Sequence, residues 1–151
     1  MIMDSWHYVC TLFYKISTES DFTFHAERVT YEDAKLACAT EGRMLVMPKT
    51  EAQHDLLDTF LDSLPSRVDI FIGLTDAITE DEFQWEDGSV LSWNDRWNTN
   101  EPNNYGGQED CVKLRPDNKW NDVVCRQKFA FVCQKGKSIG GSIDVSILLH
   151  M

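Results

Sequence analysis

The chain has 151 residues, 42% of them hydrophobic and 11% aromatic, and carries a formal charge of −11 at pH 7. That is the size of one domain able to bury its own core, and the composition is too apolar for a disordered tail. The acidic balance excludes nucleic acid and an anionic membrane surface as partners, because both need a basic footprint, and no apolar run is long enough to insert across a bilayer.

The opening "MIMDSWHYVCTLFYKI" lacks a basic n-region, and Asp4, Ser5 and His7 interrupt any apolar stretch, so it does not read as a signal peptide. Residues 1–7 read as an N-terminal segment and 8–135 as one domain. Two strand-like runs, "YVCTLFYKI" and "DFTFHAERV", flank the polar "STES". A helix is expected in "TYEDAKLACATEG", where Thr30 and Asp33 resemble a capping box. Ala34, Ala37 and Cys38 give that helix an apolar face, and Gly42 can stop it. A second helix starts at Thr50, with Gln53 at its third position. Leu57, Phe60, Leu61 and Leu64 form its apolar stripe, and Pro65 ends it.

After the buried-type strand "DIFIGL", helical periodicity disappears and forty residues rich in Trp, Asn, Asp, Gly and Thr follow. "DCVKLRP" and "FAFVCQK" read as strands separated by the turn-prone "DNKWND". Strands at both ends with helices between them give an α+β domain. Residues 136–151, beginning with "GKSIGGS", read as a linker and mobile tail.

Cys10, Cys38, Cys111, Cys125 and Cys133 show no CxxC or zinc spacing. Four of them cluster around the domain, which allows three pairings and leaves Cys10 over. Such a framework implies an oxidising, extracellular setting. No N-x-S/T sequon occurs. His7, His25, His54 and His150 stand apart from one another and read as surface histidines.

The stretch "WNTNEPNNYGGQEDC" is too polar for a strand or helix. A loop of this length inside a compact domain is usually functional or disordered. With the downstream "WND" it offers Glu101, Asn103, Glu109, Asn121 and Asp122, three carboxylates and two amides. Calcium takes six to eight such oxygens, and the absence of soft ligands disfavours zinc and copper. A cis Glu101–Pro102 bond would aim the oxygens on either side at one ion.

With "TYEDAKLAC", "FIGLTD", "FQWEDGSVLSW", "EPN", "EDC", "WND" and "FAFVC" in order, residues 8–134 resemble the carbohydrate-recognition domain of C-type lectins. The loop region resembles the mannose-binding proteins. The resemblance implies two helices flanking small antiparallel sheets, with disulfides Cys38–Cys133 and Cys111–Cys125. It implies a principal calcium ion held by Glu101, Asn103, Glu109, Asn121 and Asp122, which also hydrogen-bond two vicinal sugar hydroxyls. An auxiliary calcium site falls on Asp76, Glu80, Asn104, Glu109 and Asp110. Asn104 stands where mannose-binding proteins carry an aspartate, which weakens that site.

In the family, EPN goes with equatorial 3- and 4-hydroxyls, as in mannose, N-acetylglucosamine and glucose, and with fucose in an equivalent pose. Tyr105 stands where an aromatic can stack on a sugar and tune that choice. Trp85, Trp93, Trp97 and Trp120 match core positions of the family; Trp6 has no match. The implied activity is recognition of glycan-bearing surfaces such as microbes, by a secreted or extracellular domain in innate immunity. The competing reading is a lectin-like domain that binds a protein or lipid partner with calcium only structural.

A hydrolase using Glu101 and Glu109 is disfavoured, because carboxylates neutralised by calcium shuttle protons poorly and nothing resembles a nucleophile–base pair. A single sugar gripped through two hydroxyls binds on the order of millimolar. Useful avidity then needs several copies, for which Cys10 offers one interchain link in a homo-oligomer.

Overall fold

The computed structural model describes residues 21–136. The first strand-like run, Trp6, His7, Cys10, His150 and the tail beyond Gly136 lie outside the described residues. "DFTFHAERV" forms β1 (Phe22–Val29). Thr30 then caps α1 (Tyr31–Thr40), its hydroxyl accepting the Asp33 N–H at 3.3 Å. Tyr31, Ala34 and Cys38 are the buried face, and Gly42, at φ +70°, turns the chain out of the helix. β2 (Arg43–Leu45) follows, too short for its periodicity to show in the sequence.

Thr50 caps α2 (Glu51–Asp62) through the Gln53 N–H at 3.2 Å, while Gln53 Oε1 accepts the Lys49 N–H at 2.9 Å. Leu57 and Leu61 are buried, and Phe60 and Leu64 pack beside them. One expectation is overturned here. His54 is not a surface residue; it is fully buried, one turn before Asp58 on the same face as Leu57 and Leu61. His25, by contrast, is partly exposed and stacks on Phe131.

"DIFIGL" supplies β3 (Ile70–Thr75), followed by the two-residue β4 (Gln84–Trp85), then β5 (Cys111–Leu114), β6 (Trp120–Val123) and β7 (Phe129–Lys135). "DNKWND" is only half turn. Arg115 N–H to Lys119 O at 2.8 Å closes the turn with Asn118 at φ 65°, and β6 starts at Trp120. The strands join in the order β1-β7-β3-β5-β6, with β2 on β7 and β4 on β3. Pairings are antiparallel except β3 with β7, which meet in parallel at Ile70↔Ala130 and Phe71↔Phe131.

Alternation along the strands divides the core between the two faces of this sheet. Ile70, Ile72, Leu74, Val112 and Trp120 pack with Leu57 and Leu61 of α2. Phe71, Phe131, Phe129 and Cys133 pack with Tyr31, Ala34 and Cys38 of α1. Disulfides Cys38–Cys133 and Cys111–Cys125 form as the family resemblance implies. The first ties α1 to β7, and the second tethers the start of β5 beyond the end of β6. Trp120 is the centre of an aromatic ring: Trp85, Trp93 and Trp97 meet it edge-on at 5.9, 5.8 and 5.7 Å.

Candidate functional site

The loop from Arg96 to Glu109 is held against β6 by main-chain bonds on both sides of Trp120. Trp120 N–H donates to Arg96 O at 2.7 Å, and Asn98 N–H donates to Trp120 O at 2.9 Å. Glu101 N–H then donates to Asn98 O at 3.0 Å, so Glu101 starts its own segment beside the strand that carries Asn121 and Asp122. The Glu101–Pro102 peptide is cis.

Asp122 is the hinge pin of the cluster. It is 3% exposed, and its two oxygens accept the N–H groups of Asn103 (3.0 Å) and Asn104 (2.6 Å). Asn104 sits at φ 44°, ψ 46°, a left-handed conformation that asparagine tolerates. Gly106 and Gly107, both at φ 73°, complete the turn. That turn sends the Tyr105 N–H to Asn103 Oδ1 (3.0 Å) and Glu109 Oε1 (2.7 Å), while Glu109 N–H returns to Asn104 Oδ1 (3.1 Å). Asn103 Nδ2 donates to Glu101 Oε1 at 2.9 Å.

Glu101, Asn103, Glu109 and Asp122 are thus joined by one continuous set of hydrogen bonds. Asn121 adjoins them through its neighbour Asp122 on β6. Two buried oxygens in this set have no partner, Glu101 Oε2 and Asn121 Oδ1. Buried polar atoms are rarely left unpaired, so each such case calls for an explanation. Burial pushes the Glu101 carboxyl up to about 7, with Asp122 and then Glu109 adding to the effect. Glu109 is raised for the same first reason, with Asp122 contributing. An unpartnered oxygen among carboxylates that hold protons too tightly fits a hard cation better than it fits the bare protein.

The second acidic group has its own geometry. Asp76 N–H donates to Asp110 O at 3.1 Å, and Asp76 Oδ2 accepts the Asp81 N–H at 3.0 Å. Asp76 Oδ1 is buried without a partner, and Asn104 Nδ2 donates to Glu80. Ligand oxygens of Asp76, Glu80 and Asp81 lie within 4.8 Å of one another. Burial raises the Asp76 carboxyl, with Asp110 and Asp122 repelling it. Sequence reasoning missed Asp81, which joins this group through a backbone turn at φ 65°. The Tyr105 side chain is 82% exposed beside the loop.

A pH dependence follows from Glu101. Its folded-state pKa of about 7 lies above the ordinary 4.5, so the folded protein binds this proton more tightly than the unfolded chain does. Between those values, stability of the calcium-free protein rises as pH falls. Thermal melts in EDTA at pH 7.5, 6 and 5 check this. The gain on acidification is expected to be larger in the parent protein than in Glu101→Gln, and equal slopes contradict it.

The chain matches the lectin C-type domain family over residues 27–135. Collectin-11 of Bos taurus is 38% identical over 111 residues, covering 74% of this chain and 41% of that protein. The carbohydrate-recognition domain of the mouse scavenger receptor C-type lectin superposes with a TM-score of 0.70 at 30% identity, covering 80% of this chain and 95% of that one. The cow CD23 C-type carbohydrate-recognition domain, solved in the presence of a GlcNAc2Man3 oligosaccharide, superposes with a TM-score of 0.67 at 29% identity, covering 74% and 84%. The chain spans about two fifths of the length of the collectins it matches.

Proposed function

Because the chain belongs to the C-type lectin domain family, with collectins among its relatives, we propose that it binds carbohydrate through calcium held by Glu101, Asn103, Glu109, Asn121 and Asp122. The observation that carries this reading is the linked set of four of these residues, with Glu101 Oε2 and Asn121 Oδ1 buried and unpartnered. Calcium, when bound, supplies the positive charge that these oxygens lack and coordination positions for two vicinal hydroxyls. The residues then sort the hydroxyl protons. Carboxylates such as Glu101 accept them, and the Asn103 amide donates to a hydroxyl lone pair.

In the present arrangement Asn103 donates to Glu101, so both groups are already oriented for that exchange. The order Glu101 then Asn103 sets the polarity, which in the family goes with equatorial 3- and 4-hydroxyls of the mannose type. The cow CD23 domain solved with a mannose-containing oligosaccharide supports this choice. The exposed Tyr105 ring is placed to touch the rest of a larger glycan and tune the preference.

The reading is of a binding module rather than an enzyme. The similar proteins are lectins and receptors, and the carboxylates are committed to the cation. Two disulfides support a secreted or extracellular setting, and no helix among the described residues is long and apolar enough to cross a membrane. Recognition of microbial glycans is the matching role, with avidity from several copies and Cys10 as one link between them.

Retention on mannose-agarose and galactose-agarose, in millimolar calcium and again in EDTA, tests the proposal. Calcium-dependent retention on mannose is expected. A folded, calcium-binding protein retained on neither matrix instead favours a protein or lipid partner with calcium only structural.

The auxiliary set Asp76, Glu80, Asn104, Glu109 and Asp110 is proposed as a weaker second calcium site, joined by Asp81. Asn104→Asp keeps the acceptor for the Glu109 N–H and restores a charge, so a second calcium ion is expected to bind about tenfold more tightly. Calcium titration by calorimetry reads the change; an unaltered second affinity removes Asn104 from that site.

A further inference from the structure

The fully buried His54 and its neighbour Asp58 take no part in the cluster, yet both polar ends of the imidazole are satisfied. Trp120 Nε1 lies 3.0 Å from His54 Nε2. An indole nitrogen only donates, so Nε2 is the bare acceptor and the imidazole proton sits on Nδ1. Nδ1–H in turn donates to Asp58 Oδ2 at 3.1 Å. Asp58 also receives Arg67 Nη2 at 3.3 Å and Arg96 Nη1 at 3.5 Å. Burial alone raises its carboxyl, but His54, Arg67 and Arg96 outweigh that and leave it below the ordinary range.

From this hub three connections converge on the start of β6. His54 holds the Trp120 indole. Arg96, whose carbonyl accepts the Trp120 main-chain N–H at 2.7 Å, holds its backbone. Arg67 donates to Asn118 in the turn that leads into the strand. The two residues after Trp120 are Asn121 and Asp122, and Asp122 carries the N–H groups of Asn103 and Asn104.

Apolar residues would fill this space as well as a histidine–aspartate pair does, without the cost of burying polar groups. What the pair adds is direction: it fixes one orientation of Trp120. We propose that His54 and Asp58 are positioning residues for the calcium and sugar site, acting through Trp120 and the register of β6. The inference rests on the calcium reading above and deepens it, by tying the affinity of the loop to a buried contact on a helix at the other side of the strand.

His54→Leu and His54→Gln separate positioning from packing. Glutamine can accept from Trp120 and donate to Asp58; leucine can do neither. The measurements are calcium affinity by calorimetry, melting temperature in EDTA, and hydrogen exchange of the Trp120 indole N–H by NMR. His54→Leu is expected to expose that indole proton to exchange and to weaken calcium about tenfold, the low end for partners outside the ligand set. His54→Gln is expected to restore most of both.

A folded His54→Leu protein that binds calcium like the parent overturns the proposal, as does a His54→Gln protein no better than His54→Leu. If His54→Leu does not fold, Asp58→Asn serves. It keeps an acceptor for His54 and drops the charge facing Arg67 and Arg96, so a severalfold loss of calcium affinity is expected and an unchanged affinity overturns the proposal. A parent protein that takes up no calcium defeats the calcium reading as well, whereas normal uptake by the parent and by both His54 variants defeats the positioning role alone.

Discussion

Asp122→Ala is expected to lose calcium-dependent sugar binding and to weaken calcium by a hundredfold or more, on the order of the cost of removing a charged ligand that also organises its neighbours. The side chain is buried, and each of its oxygens holds one main-chain N–H of the loop. Removing it leaves those two amides without acceptors, at about 1–3 kcal/mol for each unsatisfied group.

One effect opposes that loss. Glu101, Glu109 and Asp76 are all pushed up in part by the Asp122 charge, so deleting it relieves repulsion in the calcium-free protein. The net destabilisation in EDTA is therefore expected to be modest, while the destabilisation in saturating calcium is large. Urea unfolding with and without calcium, beside a calcium titration, reads both quantities. Calcium affinity within a few-fold of the parent contradicts the assignment of Asp122.

The second large effect concerns the disulfides, whose removal is expected to separate stability from site geometry. Cys38 and Cys133 are 95 residues apart in sequence and lie buried between α1 and β7. By chain entropy the paired change Cys38→Ala with Cys133→Ala costs about 4–5 kcal/mol. Cys111 and Cys125 are 14 residues apart, and their paired replacement costs about 3 kcal/mol by the same argument.

The order reverses for calcium. Cys111 directly follows Glu109 and Asp110 and pairs with Val123, next to Asp122, across the β5–β6 ladder. Loss of the shorter disulfide is thus expected to weaken calcium more than loss of the longer one. Urea midpoints and calcium affinities of the two double variants check the two orderings together. A larger calcium loss in the Cys38 and Cys133 variant contradicts the account.

How much of this was legible in the sequence depended on where the signal lay. Both helices were, because Thr30 and Thr50 are caps with a mechanism and Leu57 and Leu61 repeat at helical spacing. Strands β3, β5 and β7 were legible as apolar runs. β2 and β4, with three and two residues, are too short to carry a period and exist only because β7 and β3 offer them partners.

The proposed ligands were legible only as a group, because carboxylates and amides dense in one loop are costly without a cation. Their connectivity was not. It depends on left-handed turns at Asn104 and Asp81 that bring separated residues together. His54 differs for another reason. Taken alone it reads as an isolated ionisable group, yet 54, 57, 58 and 61 fall on one helical face with two leucines among them. That spacing pointed inward, and Trp120, the partner that makes burial tolerable, lies 66 residues away.

The most direct test of the central claim is a crystal structure of the protein grown with millimolar calcium and a methyl mannoside. The account predicts an ion coordinated by oxygens of Glu101, Asn103, Glu109, Asn121 and Asp122, with two vicinal sugar hydroxyls on the same ion. A sugar bound away from these residues, or the five side chains still paired only with one another in the presence of calcium, contradicts it.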